Sequence, residues 1–246
     1  MKVLVAIVNA HCREEYSNAV RNTWLPTVPP GLDVKIFRGR GATREPLPDE
    51  VFLDCGDAYL DLPEKIKAIF TWAYEHGYDY CAKLDDDVVF LPKRWFVEFH
   101  KTDFSGWRDP GCKPGEINTP WGFLYTLNRR CMQLIVEAPL PGRPGSTHNY
   151  VHGNDEAWVS TVLHTKGIFL THDVRHHIYQ GNPEDFLKLK PKRSLRFTRG
   201  IPPKRELTPE VFAAVIYLNW TGWHNTGSDV VVREFYKVWN IMKEWQ

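Results

Sequence analysis

The sequence predicts an α/β fold: a mixed, mainly parallel sheet flanked by helices, followed by a C-terminal basic segment and a terminal helix. Three observations carry this expectation. The run Val3 to Val8 is six apolar, largely β-branched residues, the signature of a strand buried on both faces. Strand-like and helix-like stretches then alternate, as βαβ units do. Finally, 246 residues that are 43 % apolar and 25 % charged make a globular mixture long enough to bury a full core.

The elements follow in order. After Val3 to Val8, Asn9 and Ala10 end the first strand. A helix is expected from about Glu14 to Trp24, stopped by Pro26. Val34 to Phe37 and Val51 to Asp54 read as the next two strands. From Glu64 to His76, Ile66, Ile69, Phe70 and Ala73 recur at helical spacing, with Pro63 at the start and Gly77 past the end. Tyr78 to Leu84 is a strand running into Asp85, Asp86 and Asp87, and Val88 to Leu91 is a further apolar run. The stretch from Phe104 to Pro120, rich in Gly and Pro, is expected to be a loop. Helices are expected over Leu127 to Glu137 and Asn154 to Leu163, with a loop from Pro141 to Gly153 between them. An amphipathic helix closes the chain, burying Val230, Val231, Phe235, Val238, Trp239 and Met242. The domain expectation is one catalytic domain over residues 1–180 and a basic, helical extension over 181–246 packed on it.

Charge and composition exclude several classes. With 31 basic against 30 acidic residues the net charge is +1, so the molecule as a whole has no pull toward nucleic acid. No apolar stretch approaches the roughly 18 residues of a membrane span. The five cysteines (Cys12, Cys55, Cys81, Cys112, Cys131) have no zinc-type spacing, and they point to a reducing, cytoplasmic setting. The 10 Trp, 10 Tyr and 13 Phe supply a core and, beyond it, surface for stacking on sugars.

Three consecutive carboxylates at a strand end repel one another unless solvated or neutralised by a cation. Hard divalent ions, Mg²⁺ or Mn²⁺, take such oxygen ligands together with phosphate oxygens. In an extended segment Asp85 and Asp87 point to one side and Asp86 to the other, so the alternating pair can hold a metal, or a metal and a ribose. The bland alternative is a solvated acidic turn; the apolar flanks on both sides favour a buried functional strand end. In open α/β sheets ligands bind beyond the carboxyl ends of the strands, which is where Asn9, Ala10 and the triplet fall.

Asp57-Ala-Tyr59, Leu62-Pro-Glu-Lys65, Trp72, Tyr80 and Lys83 followed by Asp85-Asp86-Asp87-Val88 resemble glycosyltransferase family 31, the group of β-1,3-galactosyl- and N-acetylglucosaminyltransferases and Fringe. Arg21-Asn-Thr-Trp24 is similar to that family's R-x-T-W, and Gly153-Asn-Asp-Glu156 stands where the family carries an acidic motif. The resemblance covers roughly residues 3 to 180. It implies a Rossmann-type GT-A fold, a UDP-linked sugar donor, Mn²⁺ and inversion at the anomeric carbon. By position it makes Asp87 and Asp85 the metal ligands. It also sets Asp85 and Asp86 against the donor sugar or ribose, and Arg21, Asp57 and Lys65 near the nucleotide. A late histidine serves as a metal ligand in Fringe-like relatives, and here His177, with His176 beside it, takes that place. Trp121-Gly122-Phe123 is all that stands for the family's Gly-rich acceptor segment, so the acceptor is not inherited.

Inversion by direct displacement needs a carboxylate to take the acceptor's proton, and Asp155 and Glu156 are the two candidates, Glu156 aligning with the second acid of the motif. Both also suit a helix start as acids facing the macrodipole. His148 and His152 are placed to line an acceptor site. Lys188, Lys190, Lys192, Arg193, Arg196 and Arg199, continued by Lys204 and Arg205, form a run without acids, flanked by Phe186, Phe197, Trp220 and Trp223. Such a strip gains affinity for polyphosphate by counterion release. It makes a hydroxymethylated pyrimidine in DNA, flipped out to reach the donor, the leading acceptor, as in a phage-type enzyme. The alternatives are a cytosolic glycan, glycolipid or protein hydroxyl, a nucleotidyl- or phosphotransferase, and a nucleic-acid-binding module with a structural acidic turn. No GxxxxGK[ST] phosphate loop is present.

Overall fold

The computed structural model describes residues 1–109, 112, 115–141, 155–173, 176–180, 213–217 and 228–243. They fall into two compact units. The first comprises Met1–Glu14, Pro30–Asp85 and His100–Asp173, the second Glu15–Pro29, Asp86–Phe99 and Val174–Gln246.

The first unit is built on a seven-stranded sheet. Its strands are β1 (Val3–Val8), β2 (Leu32–Arg38), β3 (Glu50–Phe52), β4 (Tyr80–Asp85), β6 (Phe104–Arg108), β7 (Pro120–Asn128) and β8 (Thr171–His172), in the order β3-β2-β1-β4-β7-β6-β8. The pairings β1–β2, β2–β3, β1–β4 and β6–β8 are parallel, while β7 runs antiparallel to both β4 and β6. All six residues of β1 are buried, as its uninterrupted apolar run demands. Leu4, Ala6 and Val8 face a core filled from α2 (Leu62–Glu75), α4 (Arg129–Glu137) and α5 (Asp155–His164) by Ile66, Ile69, Phe70, Met132, Trp158 and Leu163. Helix α2 starts on Pro63 and gives way to Gly77 at φ 75°, a left-handed turn that glycine takes without strain. Asn128 caps α4, its Oδ1 accepting from the Cys131 N–H at 2.9 Å.

Two expectations fail here. Phe104 to Pro120 is not all loop, because Phe104–Arg108 is a strand, and Leu127 and Asn128 finish strand β7 rather than open a helix. Gly106 misled because it is a strand glycine. A Cβ on Gly106 would come within 2.9 Å of Pro120 Cβ and 3.1 Å of Tyr125 Cβ, so this glycine serves close approach to the paired strand, not a turn. The second failure concerns the triplet: β4 ends at Asp85, and Asp86 and Asp87 form a turn before β5 (Val88–Phe90). The alternation inferred from an extended chain therefore stops at Asp85.

The second unit holds a three-stranded sheet in the order β5-β10-β9, with β9 at His176–Gln180 and β10 at Ala213–Tyr217. It also holds most of α1 (Glu14–Asn22), α3 (Pro92–Glu98) and the terminal α6 (Ser228–Met242). Trp24 donates its indole N–H to the Val88 carbonyl at 3.3 Å and meets Phe90 edge-on. Helix α6 buries Phe235, Val238, Trp239 and Met242, the expected stripe; the side chains of Val230 and Val231 lie outside the description. Among the described residues no helix is long and apolar enough to cross a membrane.

Candidate active site

The order β3-β2-β1-β4 places a change of winding direction between β1 and β4, where an open α/β sheet leaves a crevice beyond its strand ends. Val8 pairs with Asp85 in register, so Asn9 and Asp85 emerge together at those ends. Two side-chain groups in the first unit gather there.

The first fastens the loops after β1 and β2. The Asp57 carboxylate accepts from the backbone N–H of His11 at 2.7 Å and of Gly39 at 2.6 Å, and from Lys65 Nζ at 2.5 Å. Lys65, buried in α2, also donates to the Asn9 carbonyl at 3.0 Å. Burial by itself would raise the Asp57 pKa, but these three donors, Lys65 foremost, hold it below the ordinary carboxylate value. Asn9, Asp57 and Lys65 thus form one hydrogen-bonded group.

The second is a lysine among carboxylates. Lys83 lies two residues before Asp85 on β4, on the same face. Its ammonium is 2.6 Å from Asp85 Oδ1 and 3.9 Å from Asp155 Oδ2, and it donates to the Gly122 carbonyl of β7. Tyr125, opposite Lys83 in the β4–β7 register, donates its hydroxyl to Asp155 Oδ2 at 2.8 Å. Glu156 extends over Gly122: a Cβ there would sit 3.1 Å from the Glu156 carboxyl carbon and Oε2 and 3.3 Å from Oε1. Burial would lower the Lys83 pKa; the charges of Asp155 and Asp85 more than offset it, so the ammonium stays charged. Burial, and after it the charge of Asp155, pushes the Glu156 carboxyl well above its usual value. Burial and Asp155 likewise push the Tyr125 phenol up. Asp155 is 2 % exposed, whereas the Asp85 side chain is 37 % exposed. At the rim stands Tyr59, 63 % exposed, its phenol raised by partial burial and then by the charges of Glu156, Asp155 and Asp85.

The structure therefore brings Asp85, Asp155 and Glu156 together in one group and Asn9, Asp57 and Lys65 in another. Ala10 follows Asn9 and accepts from the Arg13 N–H at 2.9 Å. Arg21 belongs to the second unit and donates to Asn18 Oδ1 at 3.3 Å. Asp86 and Asp87, also in that unit, are buried turn residues. His176 and His177 open β9, opposite Ala213 and Ala214; their side chains lie outside the description. So do His148, His152, Phe186, Phe197, Trp220, Trp223 and the basic run from Lys188 to Arg205. Among the described residues no group of three or more His, Cys, Asp or Glu side chains is arranged to hold a metal ion.

Sequence reasoning quoted Lys83 only within the family motif and Gly122 only within the acceptor segment, and it did not single out Tyr125. Lys83 had a usable signal, a lone cation at i−2 from a strand-end acid. Tyr125 had none, because its link to Asp155 spans thirty residues of chain.

Gly122→Ala tests the packing under Glu156. The added methyl forces the carboxylate to move by a few tenths of an ångström, and if Glu156 serves as a base, kcat is expected to fall about tenfold at unchanged KM, since small displacements of a reacting group cost rate rather than binding. Steady-state kinetics check this.

The mixed, mainly parallel seven-stranded sheet flanked by helices matches the GT-A fold of solved glycosyltransferases. A glycosyltransferase involved in the glycosylation of the major capsid of PBCV-1 superposes with a TM-score of 0.51 at 10 % identity, over 96 % of this chain and 100 % of that one. The apo form of glycosyltransferase GlyE of Streptococcus pneumoniae TIGR4 gives 0.49 at 10 % identity, and all of this chain spans 63 % of the length of that enzyme. The galactosyltransferase LgtC, solved with donor and acceptor sugar analogs, gives 0.46 at 11 % identity over 95 % of both chains. At 10 % identity the likeness to the PBCV-1 capsid glycosyltransferase is one of fold alone. No family model matches the sequence, and no curated protein matches it.

Proposed function

We propose that this protein is an inverting glycosyltransferase related to family 31, which moves a sugar from a UDP-linked donor to an acceptor hydroxyl with Glu156 as the base. The observation that carries this reading is the paired placement of Asp85 and Glu156 about Lys83 at the strand ends, on a GT-A sheet. Asp155 and Glu156 were equal candidates by residue type. Asp155 is buried with Oδ2 held by Tyr125, which makes it a support; burial and the charge of Asp155 raise the Glu156 pKa, and a raised pKa makes its carboxylate the stronger base once ionised. In the transfer the bond from the anomeric carbon to the diphosphate oxygen breaks, the acceptor oxygen bonds that carbon from the opposite face, and its proton passes to Glu156.

Asp85, its side chain 37 % exposed, would offer a carboxylate oxygen to a divalent cation, Mn²⁺ or Mg²⁺, and oxygen ligands suit hard ions. Asp85 and Asp87, with His177 or His176, are the residues assigned to it. A cation held there would supply charge stabilisation for the departing diphosphate. Asn9, Ala10, Arg21, Asp57, Lys65 and Asp86 are assigned to the nucleotide side. Asp87→Ala is expected to remove Mn²⁺-dependent UDP binding, read by calorimetry with and without Mn²⁺; retained Mn²⁺-dependent binding refutes the ligand.

The acceptor assigned is a hydroxymethylated pyrimidine in DNA, on the strength of the acid-free basic run from Lys188 to Arg205. A panel of radiolabelled UDP-sugars with hydroxymethylated DNA, unmodified DNA, simple sugars and a protein, with and without Mn²⁺, tests donor and acceptor together. Label entering only sugars or protein replaces DNA as the acceptor. No turnover of any sugar nucleotide defeats the reading.

A further inference from the structure

We propose that Lys83 is a positioning residue of the transfer reaction, its ammonium binding Asp85 and the Gly122 carbonyl and, with Tyr125, fixing Asp155 so that Glu156 is held over Gly122. This rests on the reading of Glu156 as the base and deepens it. Lys83 touches neither the acceptor nor the leaving group in this scheme; it acts through the carboxylates on either side.

The argument begins with cost. An ammonium group buried to 2 % exposure is expensive, and an apolar side chain of the same length would fill the position in a strand at no such penalty. The charge is compensated only by what surrounds it. Asp85 Oδ1 lies at 2.6 Å, the Gly122 carbonyl accepts from the same nitrogen, and Asp155 Oδ2 stands at 3.9 Å. One atom thus ties three chain segments together, the end of β4 and the start of β7 by donated hydrogen bonds and the first residue of α5 by charge. Tyr125 completes the frame from across the sheet, its hydroxyl on the oxygen of Asp155 that faces Lys83 and its ring centroid 5.7 Å from the ammonium.

The consequence is geometric. Asp155 begins α5 and Glu156 is the next residue, so whatever fixes Asp155 fixes the base. Glu156 needs that support because Gly122 beneath it offers only a bare Cα. Asp85, on the other side of the same ammonium, is the strand-end carboxylate assigned to donor and metal. Lys83 therefore sets the distance between the donor side and the base side of the site. The frame also separates two effects that a general loss of folding would merge: Tyr125 supports only the base side, whereas Lys83 supports both.

The test uses the full chain, with UDP binding in Mn²⁺ by calorimetry, hydrolysis of UDP-glucose and UDP-galactose with water as acceptor, and thermal unfolding. Tyr125→Phe is expected to lower kcat about tenfold or more with UDP affinity retained. Lys83→Met is expected to lower kcat about 100-fold and to weaken UDP binding as well, because Asp85 is released. Lys83→Arg restores at least a tenth of the lost rate. Wild-type kcat in either Tyr125→Phe or Lys83→Met overturns the assignment, as does an arginine variant no better than methionine. If Lys83→Met does not fold, Tyr125→Phe and Lys83→Arg decide. If the wild type binds no UDP and turns over neither sugar nucleotide, the proposed function fails by itself. Positioning is then judged by the crystal structure of Lys83→Met: Asp155 and Glu156 displaced from their places upholds it, and both unmoved refutes it.

Discussion

Replacing Glu156 by glutamine is expected to cut kcat by about 10²–10⁴-fold, the range a positioned general base contributes, with UDP affinity little changed. The amide keeps the shape of the side chain over Gly122 and loses only the capacity to take a proton. If Asp155→Asn gives the larger loss of kcat and Glu156→Gln stays active, the base is misassigned. A pH profile adds a second reading. Because burial and Asp155 raise the Glu156 pKa, the wild-type rate is expected to climb with pH as this carboxyl ionises. The residual activity of Glu156→Gln lacks that acid limb. Stability moves the other way. Above the ordinary carboxylate pKa the unfolded chain has lost the proton that folded Glu156 keeps, so this group stabilises fully at low pH and its contribution fades as pH rises. Glu156→Gln is therefore expected to lose less stability than the wild type on going from about pH 5 to pH 8, measured by denaturant midpoints.

Much of this site was legible from local pattern. Strand β1 announced itself by six apolar residues, α2 by its periodicity between Pro63 and Gly77, and the end of β4 by the change from Leu84 to Asp85. The resemblance singled out Asp57 and Lys65, and the fold joins them into an ion pair. What stayed hidden depends on pairing across distance. Gly106 of β6 and Gly122 of β7 read as punctuation in the sequence but, in the sheet, make room for Tyr125 and Glu156. The resemblance favoured Glu156 over Asp155, and only the fold adds that Asp155 is tied to a hydroxyl contributed by β7. Asp86 and Asp87 share their residue type with Asp85, and only the backbone turn distinguishes their geometry.

The pair Asp57–Lys65 is where the largest loss of stability is expected. Lys65→Met removes a buried ammonium and leaves Asp57 with two backbone donors and no counter-charge. Removing one partner of a buried pair costs about 3–5 kcal/mol, and the low end applies because the Asp57 side chain keeps 15 % exposure and so some hydration. At about 2–4 °C per kcal/mol for a chain of this size, a fall in Tm of about 6–12 °C is expected by calorimetry. The acid side of the stability curve should shift too. Asp57 titrates below its ordinary value when folded, so its contribution is present above that value and is lost as pH falls through the folded pKa. Without Lys65 the depression shrinks, and acid unfolding of Lys65→Met begins at a higher pH than in the wild type. The loops after β1 and β2 meet only through this carboxylate and a His11 Nε2 to Gly39 O contact at 2.9 Å among the bonds described between them. They are also packed too tightly to re-form around a substitute, since a Cβ on Gly39 would lie 2.4 Å from the Gly56 carbonyl oxygen. Loosening them is expected to lower UDP affinity, whereas Glu156→Gln is expected to lower kcat, and the two variants together separate the side of the site proposed for the donor from the residue proposed to take the acceptor's proton.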